Sequence, residues 1–181
     1  MDALKVLLER RSIRKYRAVN VSDEVLQEIV EAGLYAPSGL NLQPWYFVVV
    51  RTPEKMTQVR AVMSVVALRF NPILQKQFHD HPEVITETNN FLVTLGGAPA
   101  CVLVYADKPY GAEGRDNVIE SISAAIENMQ LAAWNRGVGS CWIGAPNHVD
   151  CAGLFETGFA AGRGEFVAAL TLGYPAEDPK P

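Results

Sequence analysis

The chain has 181 residues, 49% of them apolar and 20% charged, with a formal net charge of −4. That length suits one domain with a real core, and the apolar share excludes disorder and low-complexity structure. No stretch is apolar over the roughly 18 residues a membrane span needs, and the acidic balance argues against general nucleic-acid binding; leaving out the 6 Tyr and counting the 14 Gly brings the apolar share to roughly 54% against about 45–50% typical, a surplus that points to a subunit interface.

Leu4, Leu7 and Leu8 recur at helical spacing behind a candidate Asp2 cap, which predicts a short opening helix that ends near a run of arginines. Nothing in residues 1–5 looks like a signal peptide, so a reducing cytoplasm is the expected compartment. Asn20-Val21-Ser22 matches a glycosylation pattern but reads more simply as a helix lead-in. Ser22 caps a second helix with Leu26, Ile29, Val30 and Leu34 on one face, and Pro37 stops it, because the residue before a proline is pushed out of the α region. The loop 37–44 follows, bracketed by prolines. Trp45–Val50 is a strand on its β-branched and aromatic content. Thr52-Pro53 opens a helix expected to run to about Arg69. Residues 70–97 are weakly patterned, with His79-Asp80-His81-Pro82 a loop. Cys101–Tyr105 reads as a buried strand. Asp116–Arg136 is expected to be the longest helix, apolar around most of its circumference and a candidate dimer element. Ser140–Ile143 is a strand, His148–Glu156 a short helix, and Phe166–Leu172 a final strand before Gly173-Tyr174-Pro175. The order predicts one α+β domain over residues 1–181, a single sheet flanked by helices.

The common catalytic signatures are missing. Cys101, Cys141 and Cys151 are too few and too scattered for a disulfide framework or a zinc site. His79 and His81 suit a surface loop better than a metal pair, so no metal site is expected. Gly137-Val138-Gly139-Ser140 starts like a dinucleotide fingerprint, but it lacks the third glycine and leads into a strand. Three segments stand out instead. Arg10, Arg11, Arg14, Lys15 and Arg17 place 5 of the 16 basic residues in one eight-residue stretch without an acid, suited either to a small anion or to solvent. The loop 37–44 offers Ser38, Asn41 and Gln43 as donors and acceptors on a stiff backbone. Trp142-Ile143-Gly144 is a strand end where glycine lets a flat ligand come close. Phosphate, heteroaromatic edge and ring face are the three parts of a flavin mononucleotide.

Arg10-Arg11-Ser12-Ile13-Arg14-Lys15-Tyr16 and Ala36-Pro37-Ser38-Gly39-Leu40-Asn41-Leu42-Gln43-Pro44-Trp45 resemble the opening of the nitroreductase family of flavoproteins. Residues 137–144 and Leu172-Gly173-Tyr174-Pro175 resemble its later blocks, in the right order. The resemblance implies a nitroreductase-like α+β fold with a central, mainly antiparallel sheet, and an intertwined homodimer with two FMN sites at its interface. It implies that Arg10, Arg11 (through its backbone) and Ser12 bind the phosphate and ribityl chain, with Arg14 near the flavin N1–O2 edge. Pro37, Ser38, Gly39 and Asn41 would come from the other subunit, and Trp142, Ile143 and Gly144 would line the opposite face. NADH or NADPH would supply a hydride to flavin N5 in a ping-pong cycle, and a small-molecule acceptor such as a nitroaromatic or quinone would remove it, so no catalytic side chain is required. A mid-chain asparagine, Asn71, Asn89 or Asn90, would meet the pyrimidine edge, Lys180 is a candidate for the phosphate, and Phe70, Phe78 and Phe91 either line the acceptor pocket or pack in the core. Two alternatives remain open: a same-fold flavoenzyme with another reaction (a dehalogenase or a flavin-consuming enzyme), and a flavin-binding regulatory module without turnover.

Overall fold

Strands Trp45–Val50 (β1), Ala100–Ala106 (β2), Gly139–Ile143 (β3) and Glu165–Gly173 (β4) form one antiparallel sheet in the order β1-β2-β4-β3 in the computed structural model, which describes residues 3–107 and 114–179. All seven residues of β2 are buried, as a central strand covered on both faces requires. Its alternation sorts the core into two layers. Cys101, Leu103 and Tyr105 face Val59, Met63 and Val66 of helix Pro53–Gln77 (α3, which follows α1 and α2, Ala3–Glu9 and Asp23–Leu34). On the other side Val102 and Val104 join Ile29 of α2 and Ile122, Ile126 and Met129 of helix Arg115–Asn135 (α5, after α4, Pro82–Thr94). Helices Ala145–His148 (α6) and Ala152–Phe159 (α7) connect β3 to β4.

The caps read from sequence are in place: Ser22 Oγ accepts Val25 N at 3.4 Å and Thr52 Oγ1 accepts Lys55 N at 3.4 Å. The Asp2 cap and Lys180 lie outside the described residues. Several expectations change. The opening helix forms, but Leu4, Leu7 and Leu8 are exposed and Val6 is its buried residue. Helix α3 does not end near Arg69; it runs 25 residues to Gln77 and is longer than the 21-residue α5. Pro72 sits inside it without ending it, because Val66, Ala67 and Leu74 are buried on either side and packing outweighs the lost backbone bond. The weakly patterned stretch holds α4, which buries only Phe91 and Leu92 near its C-terminal end. The helix expected over 148–156 is two, broken at Asp150, whose φ of 53° no helix allows. The Arg69 guanidinium donates to Val149 O and Asp150 O at that break, both at 3.3 Å. From Ser121 to Trp134 every residue of α5 is buried or half-buried within one chain.

Candidate functional site

The basic segment begins where α1 ends. Arg11 donates from Nη1 to Leu8 O at 2.9 Å and Arg10 O at 2.7 Å, closing off carbonyls that the end of the helix leaves free. Beyond it the chain runs extended beside β3: Ser12 forms a parallel bridge with Ser140, and Ile13 N donates to Ser140 O. Alternation then buries Ile13 completely and turns Ser12 and Arg14 outward. Tyr16 anchors the segment, its hydroxyl donating to Ile13 O at 2.6 Å and lying 2.8 Å from Thr171 Oγ1. Burial pushes the Tyr16 phenol well above its ordinary range, so it is neutral at physiological pH. The Arg10 Nε is buried, 3.5 Å from Glu127 Oε1, and makes no hydrogen bond.

Ser12, Arg14 and Lys15 form one wall of a cleft of about 430 Å³. The opposite wall is a single stripe of α4: Glu87, Asn90, Phe91 and Thr94 stand at the three- and four-residue steps that share a helix face. Gly96, Glu177 and Pro179 complete it. Of the three asparagines left open by sequence, Asn90 borders this cleft, whereas Asn89 Nδ2 donates to Asn71 Oδ1 at 2.8 Å. Phe91 is both cleft wall and core, and Phe70 packs against the His148 ring. Glu87, Thr94, Gly96 and Glu177 went unrecognised in the sequence, since nothing local marks them. Burial raises the Cys141 thiol, while Arg14 and Arg10 pull it down and Glu177 adds to the rise, so the charges of this wall are felt on β3.

The other two segments lie elsewhere on the same chain. Ser38 Oγ accepts Gln43 N at 3.0 Å, and Gly39 N donates to Ser121 Oγ at 3.1 Å, fastening the loop to α5. Positive φ at Leu40, Asn41 and Gln43 turns it outward, leaving Leu40 89% exposed. Neither Pro37, Ser38, Gly39 and Asn41 nor Trp142, Ile143 and Gly144 line the cleft of their own chain. Trp142 is part-exposed and Ile143 buried. Gly144 has an ordinary φ of −100°, and a Cβ there would meet nothing within 4 Å, so neither backbone nor packing inside this chain asks for glycine. Among the described residues, no group of three or more His, Cys, Asp or Glu could hold a metal ion, and no helix is long and apolar enough to cross a membrane. His79 and His81 are exposed beside Asp80 and Glu83, and the three cysteines are buried and free.

Comparison with known proteins places this geometry. The model of the nitroreductase family matches residues 7–174. A protein of Archaeoglobus fulgidus with the provisional name NADH dehydrogenase/NAD(P)H nitroreductase is 30% identical over 178 residues, which span 98% of this chain and 87% of that protein. Iodotyrosine deiodinase 1 of Mus musculus is 36% identical over 96% of this chain and 62% of its own length. The crystal structure of a nitroreductase with bound FMN from Desulfitobacterium hafniense superimposes with a TM-score of 0.78 at 25% identity, covering 100% of this chain and 93% of that one. A family model matched along nearly the whole chain, on an antiparallel sheet with the basic segment set against its β3 edge, shows that the chain belongs to the nitroreductase family.

Proposed function

We propose that this chain is an FMN-dependent oxidoreductase that takes a hydride from NADH or NADPH and delivers it to a nitroaromatic, quinone or similar conjugated acceptor. It acts as a single FMN-binding unit over residues 1–181, paired in a cytoplasmic homodimer. The residues fit the cofactor. An anionic phosphate needs a cation and N–H donors: Arg14 and Lys15 border the cleft as cations, and Arg10, whose Nε faces Glu127 Oε1 at 3.5 Å, opens the same basic segment outside the cleft lining. A flat ring needs close approach, and Gly144 leaves open space that nothing in this chain requires. The observation that carries the reading is the cleft itself, with Ser12, Arg14 and Lys15 facing Asn90 and Phe91 across a volume in the range of small-molecule sites.

When bound, FMN supplies the redox chemistry, accepting a hydride equivalent and passing it on. The chain supplies binding, orientation and charge. Arg10, the Arg11 backbone and Ser12 hold the phosphate and ribityl chain, with Arg14 placing a cation at the pyrimidine edge and Asn90 facing it from α4. Trp142, Ile143 and Gly144 stand outside this cleft in their own chain and would meet a ring face only where the ring reaches past the cleft lining. Pro37, Ser38, Gly39 and Asn41 serve the partner's site, which accounts for a loop fastened to α5 yet turned away from its own cleft. Exposed apolar side chains on α1 (Leu4, Leu7, Leu8) and at Leu34, Tyr35, Leu40 and Leu42 support this pairing. They add to the half-buried apolar residues of α5 as surface that a partner would cover.

The test is an anaerobic absorbance titration of the FMN-loaded protein with NADH, then NADPH, followed by nitroaromatic and quinone acceptors. Bleaching of the flavin band by a nicotinamide and its return with an acceptor are expected. A flavin that binds but is not reduced would leave a binding module without turnover.

A further inference from the structure

The backbone that carries Arg14 is held from far along the chain. Residues 14–17 run against residues 174–177: Arg17 N donates to Tyr174 O, Tyr16 bridges Pro175, and Ala176 N donates to Lys15 O. At the end of this ribbon the Glu177 carboxylate takes over. Its Oε1 accepts Arg14 N at 2.5 Å and Lys15 N at 3.1 Å. On the other side Gly96 lies so close that a Cβ would stand 2.0 Å from Arg14 O, while Gly96 O accepts Tyr16 N. The Arg14 peptide is therefore clamped on both sides, and Glu177 itself borders the cleft beside Arg14 and Lys15.

We propose that Glu177 is a positioning residue of the flavin site: its carboxylate fixes the Arg14–Lys15 backbone and sets a negative charge on the wall where Arg14 acts. This rests on the flavin reading above. Two effects follow, and they separate. The double hydrogen bond holds the geometry, and a charged acceptor holds N–H donors more strongly than a neutral one. The negative charge opposes the Arg14 cation, and it disfavours an added electron pair on a flavin bound nearby.

Glu177→Gln keeps an acceptor oxygen and removes the charge; Glu177→Ala removes both. The experiment measures FMN affinity of the apoprotein, the flavin midpoint potential against a reference dye, and amide hydrogen exchange at Arg14 and Lys15 without flavin. Glu177→Ala is expected to speed exchange at those two amides and to weaken FMN binding, each by about tenfold. Glu177→Gln, which keeps a weaker neutral acceptor, is expected to shift both in the same direction but by less than Glu177→Ala, and to make the potential more positive. Glu177→Ala with unchanged exchange and affinity, or Glu177→Gln with an unchanged potential, overturns the role of Glu177 alone. A parent chain that binds no FMN overturns the flavin reading and this role with it.

Discussion

Gly96 and Gly137 offer a controlled comparison of how the Arg14 segment is built. Both adopt left-handed backbone, with φ of 62° and 70°. A Cβ at Gly137 would meet nothing within 4 Å, whereas one at Gly96 would stand 2.0 Å from Arg14 O and 2.7 Å from Arg14 C. Gly137→Ala therefore costs only the conformational term, about 1–2 kcal/mol. Gly96→Ala costs the same and in addition drives a methyl into a backbone carbonyl that cannot rotate away; overpacking of this kind costs about 1–3 kcal/mol more. The clash also pushes Arg14 out of register with Ser12, so FMN binding should suffer in Gly96→Ala and not in Gly137→Ala. Urea unfolding of both apoproteins at one protein concentration, followed by FMN titration, measures each part. Equal destabilisation of the two variants, or equal FMN affinity, would refute the claim that the contact with Gly96 sets the position of Arg14.

Other consequences are independent of that contact. Asn90→Ala is expected to weaken FMN binding about tenfold, as loss of one well-placed polar contact does, whereas Asn71→Ala, on a residue bonded to Asn89, changes thermal stability and leaves FMN affinity near the parent value in the same titration. Burial pushes the Cys101 thiol up to about 12 from an ordinary 9.0, so the unfolded chain gives up this proton first and the folded state loses stability as pH rises from about 9 toward 12. Urea midpoints should fall across that window, less steeply in Cys101→Ala. If the two subunits share each site, Arg14→Ala and Asn41→Gly proteins, each poor at binding FMN, regain about a quarter of the parent sites when refolded together, because half the dimers are mixed and each mixed dimer holds one intact site. Spectral titration of the mixture reads this directly, and no recovery would show that each site lies within one chain.

Strong local patterns made most of the fold legible. Trp45–Val50 and the β2 and β4 runs declare themselves by β-branched and apolar content, and Ser22 and Thr52 mark helix starts by caps that the structure uses. Helix α4 reaches the core only with Phe91 and Leu92, near its C-terminal end, and the end of α3 is disguised by a proline that packing tolerates. The site divides in the same way. Ser12 and Arg14 stand in a dense basic motif that can be read directly. Asn90 becomes distinguishable from Asn71 and Asn89 only when the orientation of α4 shows which face meets Arg14. Glu177 depends on a pairing between segments some 160 residues apart, which no local pattern encodes. The expectation that α5 takes the interface rests on apolar residues around the helix, of which Ala124, Leu131, Ala132 and Trp134 stay half-buried in one chain, and the exposed leucines of α1 and the 34–42 segment add apolar surface that local helix and loop patterns do not distinguish.

The most direct test of the account is a crystal structure of this chain grown with FMN. It should show the phosphate at Arg10 and Ser12, the ring in the cleft between Arg14 and Asn90, and residues 37–41 of a second chain closing over it. Flavin bound elsewhere, or held by one chain without the second chain's loop, would contradict the site as described.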